Sequence, residues 1–202
     1  MSTDQLQLYK ILNELGLMVT SESNLDKLFQ VIMDQTNLMM QTERCSVFMH
    51  DSRTDELWTL VSTDLGKNEV RIPADHGIAG WVYRYKLPQM INDPYNDPHF
   101  FPEVDHATGF RTRNILCIPL INRQLKCVGT LQTLNKKEGP FKEEDLQILT
   151  SIASYVTIAL ENAKLYEDLK ALDKGAKKAS KGKRADPVAA IAAWKAVREA
   201  AD

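Results

Sequence analysis

Long apolar runs are missing from this chain. No stretch approaches the ~20 consecutive apolar residues that a membrane-spanning helix needs. The opening Met1-Ser2-Thr3-Asp4-Gln5 lacks the basic-then-apolar layout of a secretory signal. Both absences predict a cytoplasmic location. Excess charge of one sign is missing too: 25 Lys and Arg stand against 27 Asp and Glu, a formal net charge of −2. That removes the electrostatic case for nucleic acid or a membrane surface as the main partner. Cysteine is scarce. Cys45, Cys117 and Cys127 each sit in an apolar stretch, without close spacing. An odd, dispersed set argues against a disulfide framework or a zinc site, and the three read as buried small hydrophobes in a reducing compartment. The four histidines, His50, His76, His99 and His106, lack metal-ligand spacing, and there is neither a phosphate-loop pattern nor a His-Glu-x-x-His. No metal and no resident cofactor is expected. His106 beside Asp105 has no nucleophile or second acid near it in sequence, so no catalytic residue is assigned. There are no internal repeats.

What is present is a chain of 202 residues with 44% hydrophobic content, enough for one globular domain with an extension or for two small ones. Leu6, Tyr9, Ile11, Leu12, Leu15, Met18 and Val19 recur at threes and fours, which predicts a helix over 5–20. A second helix starts near Ser23-Asn24 and buries Leu25, Leu28, Phe29, Ile32, Leu38 and Met39. From Arg44 to His50 the pattern changes to alternation. Cys45, Val47 and Met49 take one face of a strand; Ser46, Phe48 and His50 take the other. Strands follow over 56–63, 70–72, 114–121 and 126–134, with a short extended piece at 87–92. Gly77-Ile78-Ala79-Gly80 opens a short helix for which Asp75 is the expected cap. Its small residues either let a ligand approach the backbone or let helix and sheet pack closely. The prolines of 93–98 exclude regular structure and predict a loop long enough to act as a lid. After Gly139-Pro140 a long helix runs from about Lys142 to Leu172. Helices before and after a mostly antiparallel sheet predict an α+β domain with its terminal helices on one face. The predicted division is a domain over 1–172, a basic flexible linker over 173–186 and a short Ala-rich helix over 187–202.

The stretch Phe101–Pro119 carries the strongest hint of function. It begins acidic and aromatic and turns at Gly109. It then gathers Thr108, Arg111, Thr112, Arg113 and Asn114 before an apolar strand. Clustered donors beside a turn are how a pocket for a small polar ligand is lined.

Within it, Thr108-Gly109-Phe110-Arg111-Thr112-Arg113-Asn114-Ile115-Leu116 resembles the same segment of cyclic-nucleotide-binding GAF domains, the regulatory domains of mammalian phosphodiesterases and some bacterial adenylate cyclases. A second match is Arg71-Ile72-Pro73-Ala74-Asp75-His76-Gly77-Ile78-Ala79-Gly80, and a third is Asn135-Lys136 followed by Phe141 and acids. The resemblance spans roughly residues 5 to 170. It implies the GAF fold, a central antiparallel sheet with terminal helices behind it and a ligand pocket in front. It also implies roles. Ser46 stands where the family has a pocket serine on its first strand. Ile78 and Ala79 stand where backbone N–H groups meet a cyclic phosphate. Phe101 takes the place of an aromatic that covers the ligand. Asp105, Thr108 and Thr112 match a trio around base, ribose and phosphate. Gln132 stands where several members carry Glu, keeping a hydrogen-bonding carbonyl and adding donors. The second-strand acid of some members has no match around Ser62, Thr63 and Asp64. The family's Lys–acid salt bridge would fall to Lys136 with Glu143 or Glu144. No Cys lies near Asp105-His106, where bilin-binding GAF photoreceptors attach their chromophore, which argues against a light sensor.

The resemblance thus implies a regulatory, non-catalytic sensory domain. It would take cAMP or cGMP as a regulatory ligand and relay a conformational change along the long helix to an output domain. A ligand-free dimerisation module is one alternative. A GAF-fold sulfoxide reductase is another, and it requires reactive, exposed cysteines. A homodimer is expected through the terminal helices, with Leu8, Leu12 and Leu15 meeting Val156, Ala159, Leu160, Ala163, Leu169 and Leu172 across a two-fold axis.

Overall fold

The structure, a computed structural model, describes residues 25–63 and 70–182. The helix expected over 5–20, the end of the expected linker and the Ala-rich helix lie outside the described residues. The chain divides into two compact units between Glu161 and Asn162, and the fold below is that of the first.

Helix α1 covers Leu25–Met40 and ends where Gln41 takes a left-handed conformation, φ 51°. Strand β1, Thr42–Asp51, turns into β2, Glu56–Ser62, and β2 pairs with the short β3, Arg71–Pro73. Helix α2, Gly77–Tyr85, precedes β4, Gln89–Ile91. A single 3₁₀ turn at Pro94–Asn96 and the short α3, Glu103–Thr108, lead to β5, Ile115–Ile121. Strand β6, Cys127–Lys136, and α4, Glu143–Gly182, complete the described chain. The six strands form one antiparallel sheet in the order β3-β2-β1-β6-β5-β4, so the architecture is the expected α+β class.

Strand alternation sorts the core into two. One face presents Cys45 and Val47 of β1, Leu116, Ile118 and Leu120 of β5 and Leu131 of β6. Phe29, Ile32 and Met33 of α1 cover it with Leu149, Ile152 and Val156 of α4. The opposite face presents Phe48, Ile115, Cys117 and Leu134 to α2, whose Ile78, Ala79 and Val82 are buried there. The middle pair of strands runs close at Gly129: a Cβ there would lie 2.0 Å from the Phe48 carbonyl oxygen, so only glycine fits without moving the ladder.

Three expectations change. Leu38, placed on the buried face of its helix, is 69% exposed, because Met39 and Met40 take the core side of the last turn. Val156 and Ala159, assigned to a partner copy, are fully buried in the domain's own core; the apolar face of α4 serves the sheet further along than the periodicity suggested. Residues 173–182, expected as the start of a flexible linker, are helical. Their Ala and Lys content supports helix as readily as coil. Among the described residues no helix is long and apolar enough to cross a membrane.

Candidate functional site

The face of the sheet under α2 frames a cavity. On β1, the side chains of Arg44, Ser46 and Phe48 share one parity and all line it. On β6, Gln132 and Leu134 do the same, and Gln132 lies directly across from Ser46 in the β1–β6 register. The Ser46 hydroxyl donates to the Ser62 hydroxyl at 2.9 Å. Among the described residues the Gln132 amide has no hydrogen-bond partner, and it borders the cavity with its donors and acceptor uncommitted.

Helix α2 supplies a second wall. Gly77 holds φ +70° at its first position, a conformation that suits glycine. Asp75 is not the cap: its carboxylate bonds His76 Nδ1 at 2.6 Å, and His76 occupies the N-cap position without a side-chain bond to the helix. The first helical bond is that of the Gly80 N–H to the His76 carbonyl, 3.2 Å. Ile78 and Ala79 line the cavity and precede that bond, in the first turn, where helix N–H groups have no intrahelical acceptors.

The cover is the segment from Asp93 to Thr112. Its fastening is Asp105, buried at 6% exposure. The Asp105 carboxylate accepts from the Thr112 backbone N–H and the Thr112 hydroxyl, both at 2.7 Å, and from the Tyr95 hydroxyl at 2.9 Å. The Asp105 bond also holds the Tyr95 phenol proton above its ordinary range. The Arg111 guanidinium lies over the Tyr95 ring, 4.7 Å from its centroid. Phe101 closes the cavity beside Gly77. The cavity volume is about 70 Å³. Pockets for drug-sized ligands start at roughly 300 Å³, so a nucleotide enters only if the cover moves.

Seven of the eight residues expected at the ligand therefore line one cavity: Ser46, Ile78, Ala79, Phe101, Asp105, Thr112 and Gln132. Thr108 does not. Its hydroxyl donates to the Val104 carbonyl one turn back, 2.8 Å, the local bond that threonine makes within a helix. Arg44 was missed. It is buried, lines the cavity and places its guanidinium 3.8 Å from the Phe110 ring centroid. The signal was available, since Arg44 precedes Ser46 by two on an alternating strand.

The salt bridge also departs from expectation. Lys136 pairs with Asp145, Nζ to Oδ2 2.5 Å, and not with Glu143 or Glu144, which are exposed. The reason is helical geometry: Asp145 turns inward at the start of α4 and accepts from the Lys142 N–H as well, 2.8 Å. Next to it, Asn135 is buried with φ 59° and ties three segments together. It donates to the Glu43 carboxylate and to the Arg111 carbonyl, both 2.8 Å, and accepts from the Arg113 N–H at 2.6 Å. Arg113 in turn bonds Glu43 at 2.6 Å. Hydrogen bonds from Arg113 and Asn135 hold the Glu43 carboxyl below its usual range.

The three thiols are buried and free. Burial pushes the Cys45, Cys117 and Cys127 thiols up, away from the reactive thiolate. Among the described residues no group of three metal-ligating side chains comes together.

Comparison with known proteins agrees with this architecture. The family model described as the GAF domain matches residues 24–160. A probable 3',5'-cyclic phosphodiesterase, pde-5, of Caenorhabditis elegans is 28% identical over 159 residues, 73% of this chain and 22% of that protein. The chain thus spans about a fifth of that relative's length. The GAF domain of a phosphoenolpyruvate-protein phosphotransferase from Coxiella burnetii superposes with a TM-score of 0.70 at 20% identity, covering 83% of this chain and 99% of that one. Free methionine-R-sulfoxide reductase from Neisseria meningitidis, solved with its substrate, gives a TM-score of 0.66 at 16% identity, covering 82% and 95%. At these identities the two structures share the fold with this chain.

Proposed function

This chain belongs to the GAF domain family, and on that premise we propose that it is a cytosolic sensory module whose ligand is a cyclic nucleotide, cAMP or cGMP. One observation carries the reading. Ile78 and Ala79, in the first turn of α2, line the same cavity as Ser46 and Gln132. Helix N-terminal N–H groups suit a phosphate, and an amide across from a hydroxyl suits the edge of a base. Its relative being a probable cyclic phosphodiesterase supports the same ligand class. Ligand entry moves the cover, and the Asn135–Lys136–Asp145 connections carry that movement to the base of α4 and on to an output domain. The module works as a homodimer through its terminal helices. Mass spectrometry of the denatured protein, followed by calorimetry with cAMP and with cGMP, tests the reading. Binding of either supports it; no heat and no rise in melting temperature with millimolar nucleotide refutes it.

A ligand-free dimerisation module is the second reading. The observation in its favour is the small cavity volume, about 70 Å³, with Asp105 committed to internal partners. The reductase reading has less support, because all three thiols are buried and held protonated.

A further inference from the structure

A cation is buried in the wall of the cavity. Arg44 shares the parity of Ser46 and Phe48 on β1, a position where an apolar side chain would serve the core without desolvating a charge. It is 8% exposed, and its guanidinium lies over the Phe110 ring, 3.8 Å from the centroid. The electron-rich face of that ring attracts the cation and steadies its long stem. In the β1–β6 register Arg44 stands across from Leu134, and Ser46 across from Gln132. Two polar side chains of β1 and one of β6 thus border the cavity side by side.

This row has an orientation. Helix α2 begins over the far end of β1: a Cβ on Gly77 would lie 3.9 Å from the Ile72 side chain, Ile72 pairs with Leu57, and Leu57 pairs with His50. Arg44 lies near the start of the same strand. A nucleotide that sets its phosphate on the first turn of α2 therefore turns its base toward Arg44. Hydrogen-bonding sense then decides which base. Ser46 and Gln132 each carry donor and acceptor, so either purine satisfies them. Asp105 and Thr112 bond each other, and Tyr95 takes a further position on the same carboxylate. Arg44 donates and cannot accept.

We propose that Arg44 reads the base and selects guanine, so that the ligand is cGMP rather than cAMP. This rests on the cyclic-nucleotide reading of the cavity. Guanine presents two neighbouring acceptors, O6 and N7, which a guanidinium engages as a pair. Adenine presents N7 beside the N6 amino group, a donor set against the donors of Arg44. The contact with Phe110 uses the face of the guanidinium, whereas hydrogen bonds leave from its edge, so ring and base do not compete.

Calorimetry with cGMP, cAMP and 7-deaza-cGMP, which lacks the N7 acceptor, is the test. The wild type should bind cGMP about fivefold to a hundredfold tighter than cAMP, the discrimination of one paired guanidinium–guanine contact. 7-Deaza-cGMP should bind about tenfold more weakly than cGMP. Arg44→Met keeps an unbranched stem against Phe110, and there the three ligands should bind within about twofold of one another. Arg44→Gln carries an amide that suits adenine, and should also erase the preference for cGMP; it guards against a misfolded methionine variant, and near-UV circular dichroism checks both. A wild type that binds cAMP as tightly as cGMP overturns the proposal and leaves the proposed function standing. So does a preference for cGMP that survives in both variants, or 7-deaza-cGMP binding the wild type as cGMP does. Equal losses of cGMP and cAMP in both variants would make Arg44 a support for the cover and not the reader of the base, which also overturns it. If no nucleotide binds the wild type, this proposal and the proposed function fall together.

Discussion

Removing the Asp105 carboxylate should loosen the cover in a measurable way. Asp105→Ala deletes two hydrogen bonds to Thr112, both 2.7 Å and both made to a charged, buried acceptor. Hydrogen bonds to charged groups contribute about 1.5–3 kcal/mol each, and the Thr112 N–H is left without its partner in a buried position. The two bonds share one acceptor and one donor residue, so they do not add fully. The bond from Tyr95 is left out of the sum because that side chain is solvent-accessible. The expected loss is about 2–4 kcal/mol, a large share of the ~5–15 kcal/mol that holds a typical domain folded. Asp105→Asn keeps an acceptor for the Thr112 N–H, and the Thr112 hydroxyl can rotate to accept from the new amide, so about 1 kcal/mol is expected. Thr112→Val removes only the hydroxyl bond and should cost about 1–2 kcal/mol. Urea unfolding followed by circular dichroism gives these values, provided the denaturant slope is unchanged. The double variant Asp105→Ala, Thr112→Val should lose less than the two singles combined. Strict additivity, or an Asp105→Ala variant within about 0.5 kcal/mol of wild type, would refute the idea that this carboxylate fastens the cover.

Three further outcomes are expected. Glu43 is held below its ordinary carboxyl range by Arg113 and Asn135, so its contribution to stability is full above the unfolded value of about 4.5. It is lost as pH falls through the lower folded value; Glu43→Gln should flatten that acid limb, and an unchanged limb by thermal melts from pH 3 to 6 counts against the network. Native protein should show no fast-reacting thiol with Ellman's reagent and should react fully once unfolded; one fast thiol in the native state would revive the reductase reading. Leu165, in α4, is 61% exposed, and light scattering should give a dimeric mass that Leu165→Glu with Leu169→Glu reduces to a monomer; a monomeric wild type ends the dimer idea.

Much of the fold was legible because strand alternation is local. The parity that separates Cys45 and Val47 from Ser46 and Phe48 is the parity that separates the two cores. Of the cavity residues, Ile78 and Ala79 on α2 lay in a matched segment, and Ser46 on β1 and Gln132 on β6 were placed by the same family resemblance. What escaped depended on three-dimensional competition. Thr108 had a place in a matched motif, but its hydroxyl donates to the Val104 carbonyl and it does not line the cavity. The partner of Lys136 was sought among the first acids after Phe141, whereas the inward turn of α4 selects Asp145. Asp75 looked like a cap, but His76 captured its carboxylate. The inner face of α4 looked too long for one sheet, yet Val156 and Ala159 reach it.

The strand order has a consequence for how this chain assembles. Its central pair, β1 with β6, joins the first strand described to the last, and Glu43 finds Asn135 92 positions away. Such distant pairings are slow to form because a long loop must close before any of them is rewarded. During synthesis the β1–β2 hairpin therefore waits, with one edge bare, until β6 has left the ribosome. A bare edge of that kind recruits other chains. Chains halted between β2 and β6 should aggregate where the finished domain does not, and in refolding monitored by pulsed hydrogen exchange the β1–β6 amides should gain protection after those of β1–β2. Simultaneous protection of both pairs would show that the sheet closes in one step.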